Sequence, residues 1–172
     1  MNINKIENSR RSIRISEFDY HKEGAYFITI CAYHRKCLFG SIHDETMHLS
    51  NIGKQIKTNW ECIPDHFPNA ELNEYVIMPN HMHGIISIMD GSYQSKTIGT
   101  IIGQFKGSVT SWVRANTNIH DLWQRNYYEH VIRDERDYQR IAEYIEGNPS
   151  QWNEDALHPL NYLHNPVLIE NP

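Results

Sequence analysis

The sequence predicts an α+β domain, a central antiparallel sheet covered by helices with one further helix at the C-terminal end. Three observations lead there. Strand-sized apolar runs and stretches of helical period follow one another in the order β-α-β-β-α-β-α. The two middle strand runs are separated only by Pro79-Asn80, read as a tight turn between antiparallel strands rather than a kink in one long strand. The clearest helix in the chain, "DERDYQRIAEYIEG", comes after the last strand.

Taken in order, residues 1–23 are a polar, basic arm without an apolar stretch. "GAYFITICAY" (24–33) is aromatic and β-branched, a largely buried strand. "CLFGSI" and "TMHLS" form a short hairpin around "HDE". "SNIGKQIKTNWECI" (50–63) spaces Ile52, Ile56, Trp60 and Ile63 as a helix does, behind a Ser/Asn cap. "AELNEYVIM" (70–78) and "HMHGIISIM" (81–89) are the paired central strands. "TIGTIIGQFKGSVTSWVRA" (97–115) is a second helix, loosened by three glycines. "LWQRNYYEHVIR" (122–133) is a fourth strand, and residues 134–147 form the final helix, capped by Asp134 and closed by Gly147 and Pro149. Residues 150–172, with prolines at 159, 166 and 172, read as an irregular tail. Two βαβ-like halves with an antiparallel centre make a ferredoxin-like sandwich with one extra helix.

Hydrophobic content of 40% and charged content of 22% suit a globular core and exclude a disordered chain. No apolar run approaches the ~20 residues of a membrane-spanning helix. The odd set Cys31, Cys37 and Cys62 shows no CxxC spacing, so it reads as reduced thiols of a cytoplasmic protein. A net charge of −5 argues against indiscriminate nucleic-acid coating. The distribution is uneven: seven Lys/Arg face four Asp/Glu up to Lys36, and nine face seventeen beyond it. From Gly91 to His120 there is no carboxylate at all, a face suited either to an anion or simply to water.

"VIMPNHMHGIISI" (76–88) places two histidines where a strand wants aliphatic residues. Side chains at i and i+2 share a face, so His81 and His83 lie side by side and Met82 turns into the core. Two readings are open: structural or surface histidines, or two imidazoles that hold one divalent metal with oxygen ligands completing its shell. The absence of HExxH excludes the helix-borne zinc protease arrangement. Gly84 leaves room for a bulky partner beside the pair. On the final helix, Tyr138, Ile141, Ala142 and Ile145 line up as an apolar stripe. Tyr144 falls about a third of a turn off its centre, with Asn148 four residues later on the same flank. Geometry alone leaves Tyr144 either half-buried with its hydroxyl in water or presented to a site. A helix ending at Gly147 would put Asn148 just outside regular geometry.

His81-Met82-His83 is a His-hydrophobic-His pattern, and "LWQRNYYEHVIRDERDYQRIAEYIEGNP" resembles the second signature of the single-tyrosine HUH transposases. The likeness is best to the REP-associated tyrosine transposase branch, and it runs in order from about Gly24 to Asn148. The resemblance implies a catalytic domain over 24–149 that cleaves single-stranded DNA, beside a hairpin, through a 5′-phosphotyrosine intermediate and rejoins strands. It places the nucleophile at Tyr144 and a divalent cation, Mg²⁺ or Mn²⁺, on His81, His83 and Asn148. It implies a cytoplasmic protein, associated with the nucleoid when DNA-bound, and leaves a homodimer open, since the final helix serves its own subunit's site or a neighbour's.

DNA contact is expected from Arg10, Arg11 and Arg14 in the basic arm, from Lys106 in the acid-free segment, and from His130 in "YYEHVIR". Each has a plain alternative: a solvated arm, a solvated lysine, a hydrogen-bonded structural histidine. Tyr127 and Tyr128 are adjacent on a strand, so one faces in and the other out. Two rival functions stand beside the main one: a domesticated hairpin-binding protein without chemistry, and an unrelated metal enzyme of small molecules.

Overall fold

In the computed structural model, which describes residues 23–89 and 96–164, the apolar run from Gly24 becomes β1 (Gly24–Cys31), one of the sheet's two interior strands. It pairs antiparallel with β5 (His81–Ile88) on one side and β6 (Tyr128–Ile132) on the other. β4 (Ala70–Ile77) completes the sheet beside β5, giving the order β4-β5-β1-β6. The Met78 N–H donates to the His81 carbonyl at 2.8 Å, so Pro79-Asn80 is the tight turn that the sequence predicts. The basic-arm expectations at Arg10, Arg11 and Arg14 fall outside the described residues.

Three helices, one of them a single turn, cover one face. In α1 (Asn51–Glu61), the Ser50 hydroxyl accepts from the Gly53 N–H at 3.1 Å, and Ile52, Ile56 and Trp60 are buried. α2 (Ile63–His66) is a single turn opened by Pro64. α3 (Ile98–Asn116) runs unbroken despite its glycines, because Ile98, Ile101, Ile102, Phe105, Val109 and Val113 form one buried stripe. These side chains meet Tyr26, Ile28, Ile30, Met82 and Ile86 in the main core. Gly84 belongs to this face: a Cβ there would overlap the Trp60 indole. The room expected beside the histidines therefore lies on the opposite side of the strand, and Trp60 fills it.

α4 (Glu135–Gly147) covers the other face, where Ile141 and Ile145 pack on Phe27 and Ile85 in a smaller core. Its N-cap is Asp134, whose side chain accepts from the Asp137 N–H at 2.8 Å. The fold is thus an α+β sandwich with α1, α2 and α3 on one side and the extra helix on the other. A short hairpin, β2 (Gly40–His43) and β3 (Thr46–Leu49), turns through Asp44 and Glu45, both at positive φ as a type I′ turn requires.

Two elements differ from expectation. The fourth strand is shorter: its register with β1 slips between Tyr128, opposite Thr29, and Trp123, bridged to Ala32, and in between Lys106 donates to the carbonyls of Gln124 and Asn126. The segment after Asn148 is not wholly irregular: a 3₁₀ turn (Trp152–Glu154) leads to α5 (Pro159–His164). Among the described residues no helix is long and apolar enough to cross a membrane.

Candidate active site

The pleat sends His81, His83 and Ile85 to the α4 face while Met82 enters the main core. Both imidazoles are buried, with ring centroids 4.6 Å apart. Burial drives both well toward the neutral form; His83 is pushed down to about 3. Neutral imidazoles are ligands or acceptors, not anion-binding cations.

Each ring is oriented by a neighbour. Asn80, fully buried, donates its Nδ2 hydrogens to the carbonyls of Arg35 (3.0 Å) and Leu157 (2.8 Å). Its Oδ1 must then accept, at 2.8 Å, from His81 Nδ1–H. The tautomer follows: His81 Nε2 carries a lone pair and aims it into the site. His83 Nδ1 lies 2.8 Å from the Thr29 hydroxyl, its cross-strand partner on β1. That leaves Nε2 facing Tyr144, whose hydroxyl is 3.3 Å away. Phe27 stacks on His83 and meets the Tyr144 ring edge-on, fixing the two relative to each other.

Asn148 keeps helical dihedrals (φ −59°, ψ −41°), so Gly147 does not displace it. The flank alignment with Tyr144 is preserved, and the buried amide lies beside both His81 and Tyr144. The chain then folds back and brings in a residue that the sequence reading missed. Asp155 Oδ1 accepts from the Leu157 N–H at 2.6 Å, and its Oδ2 points at His81 Nε2 from 3.6 Å.

His81 Nε2, Asn148 Oδ1 and Asp155 Oδ2 are all buried without a hydrogen-bond donor. Three acceptors facing one another without a donor are costly unless a cation lies between them. The ligating atoms of His81, His83 and Asp155 lie within 4.8 Å of one another. A hard divalent ion fits this mixed nitrogen and oxygen set.

Other predicted residues are held within the protein. The Lys106 ammonium donates to the Gln124 carbonyl at 2.7 Å and the Asn126 carbonyl at 3.1 Å. His130 Nε2 is 2.8 Å from Asp137 Oδ2 on α4. Tyr127 packs against the main core while Tyr128 is exposed, one in and one out.

A family described as "Transposase IS200 like" matches residues 20–148, which span the sheet, the histidine pair and α4. The chain belongs to this transposase family. An uncharacterized protein of Haemophilus influenzae (strain ATCC 51907 / DSM 11121 / KW20 / Rd) is 47% identical over 167 residues, covering 87% of this chain and 93% of that one. A putative REP-associated tyrosine transposase of the same organism is 27% identical over 140 residues, covering 76% and 73%. Among solved structures, a REP-associated tyrosine transposase bound to a REP hairpin aligns with TM-score 0.61 at 23% identity, covering 80% of this chain and 74% of that one. That likeness confirms the fold. In this transposase-family chain the family match ends at residue 148, and the segment that follows reaches back to His81.

Proposed function

We propose that this protein is a REP-associated tyrosine transposase. It cleaves single-stranded DNA beside a hairpin through a covalent 5′-phosphotyrosine and rejoins strands. The observation that carries the reading is the meeting, in one chain, of the Tyr144 hydroxyl with His83 Nε2 at 3.3 Å. In this reading Tyr144 attacks the phosphodiester, its phenolic proton departs, and the strand's 3′-oxygen leaves as a hydroxyl. The bond energy stays in the phosphotyrosine, so the free 3′-hydroxyl can reverse the step.

His81, His83 and Asn148, with Asp155, would hold Mg²⁺ or Mn²⁺. Bound there, such an ion offsets charge on the phosphate and lowers the proton affinity of groups beside it. The protein alone holds Tyr144 in the opposite sense. Burial, then the Asp155 charge, raises the phenol above its ordinary value, and only the Asn148 amide opposes them. The site therefore orients its nucleophile but does not activate it unaided.

The same geometry favours a site completed in cis, within a cytoplasmic protein associated with DNA. We read residues 24–149 as the catalytic domain and the segment beyond as its accessory. Lys106 and His130 act on DNA through the surfaces they shape. The test is incubation with a library of hairpin-bearing single strands plus Mg²⁺, scored for covalent adducts by denaturing electrophoresis. The wild type forms adducts and Tyr144→Phe forms none; equal adducts from both proteins would overturn the assignment. A binding protein without chemistry would retain the strands and yield no adduct.

A further inference from the structure

Beside the Tyr144 hydroxyl opens a cavity of about 750 Å³ that the cleavage reading leaves without an occupant. His83 and Tyr144 line it together with the buried apolar Phe27 and Ile141, and the exposed Arg125, Asn126 and Tyr128 form its rim. Its volume lies within the ~300–1,000 Å³ of sites that enclose small organic ligands, which includes a mononucleotide. The charge of its lining is one-sided. The chain carries 21 Asp/Glu against 16 Lys/Arg, yet Arg35, Arg125 and Arg140 line the cavity and no carboxylate does. Arg140 is partly compensated by Asp137, which holds it at 2.6 Å from outside the lining. Arg125 meets no carboxylate among the described residues.

The rim also holds Tyr128 at 47% exposure, a large aromatic on which no ring of the described residues stacks. It shares the α4 face with Thr29, its partner on β1 and another residue of the lining. Apolar lining, an open aromatic face and the Arg125 guanidinium together select an anion that carries a planar ring. Unpaired bases are bound in this way, between aromatic and apolar surfaces with cations on the backbone.

We infer that this cavity seats one unpaired nucleotide of the strand adjoining the scissile phosphate, its base against Tyr128 and its phosphate beside Arg125 and Arg140. The inference rests on the single-strand cleavage reading and deepens it. The seat adds sequence-tolerant affinity and holds the strand next to Tyr144. Neither duplex DNA nor a bare phosphate fills both halves of the lining.

The test uses the full chain and two fluorescent probes of equal length, a short oligothymidylate and a strand of abasic sites with the same phosphates. By anisotropy, the wild type binds oligothymidylate about tenfold more tightly than the abasic strand, the range of a stacked base. Tyr128→Ala brings the ratio close to one, while Tyr128→Phe, which keeps the ring, retains it. Arg125→Gln and Arg140→Gln weaken both probes alike, and each lowers the salt slope of binding by about 0.7. Equal binding of the two probes by the wild type, a ratio that survives Tyr128→Ala, or an unchanged salt slope would overturn the seat. If Tyr144-dependent adducts still form in that case, the cleavage reading stands and only this inference falls. Loss of both adducts and single-strand binding would sink the reading itself.

Discussion

Asp155 Oδ2 lies 3.6 Å from His81 Nε2, and neither atom has a donor between them. The pair is not an ion pair. Burial, then the neighbouring His83 and Arg35, holds His81 well below its usual proton affinity, and burial raises the Asp155 carboxyl. A lone pair thus faces a desolvated carboxyl group, and the arrangement is favourable only with a positive charge between.

Replacing that carboxylate therefore weakens cation binding. For Asp155→Asn we expect Mn²⁺ affinity, measured by calorimetry on the DNA-free protein, to fall about 10- to 100-fold, as for lost supporting contacts in metal sites. The isosteric amide keeps an acceptor for the Leu157 N–H, so the local turn survives. Unchanged affinity would show that Asp155 merely covers the histidines.

Asn80 ties the same parts together, since one amide fixes the His81 tautomer and anchors the returning segment at Leu157. Asn80→Ala removes the donor to the Arg35 and Leu157 carbonyls and the acceptor of His81 Nδ1–H, at about 1–3 kcal/mol for each group left buried and unsatisfied. We expect a lower Tm and weaker Mn²⁺ binding together. A fall in Tm with metal affinity intact would reduce Asn80 to a stability residue.

Much of this was legible in the residues. Alternation put His81 and His83 on one face, and the stripe of α4 put Tyr144 on its flank, because both periods are local properties of the backbone. The Asp134 cap and the Pro79-Asn80 turn are local signals too. Asp155 was not legible. Its role depends on the chain reversing after Asn148 and on a hydrogen bond from Asn80, 77 positions from Leu157. No periodicity marks such a contact, and the prolines of the tail argue for irregular chain. Lys106 shows the converse: its charge in an acid-free segment is legible, but the two backbone carbonyls that hold its ammonium are not.

Asp137 gives a pH-dependent contribution near the start of α4. Hydrogen bonds from His130, then Arg140, lower its carboxyl from 3.8 to about 2. With the folded value depressed, the stability it adds is present above pH ~4 and fades as pH falls toward 2. We expect Asp137→Asn to lower Tm at pH 6, with the gap to wild type narrowing from pH 4 downward. A gap that stays constant between pH 6 and pH 3 would contradict the assignment.

Gly84 links the site strand to the main core through what it lacks. The indole of Trp60 occupies the space a Cβ would need, and Trp60 is itself fully buried against Phe105. Gly84→Ala must push the indole aside, which costs about 1–3 kcal/mol for overpacking of this kind. In a chain of this size each kcal/mol lowers Tm by roughly 2–4 °C. The cause is steric, so it is relieved by a smaller ring. We expect Gly84→Ala/Trp60→Phe to lose less stability than the two single variants added together, because phenylalanine withdraws the atoms that meet the new methyl. Strict additivity in that cycle would mean that Gly84 is required for the strand's backbone and not for Trp60.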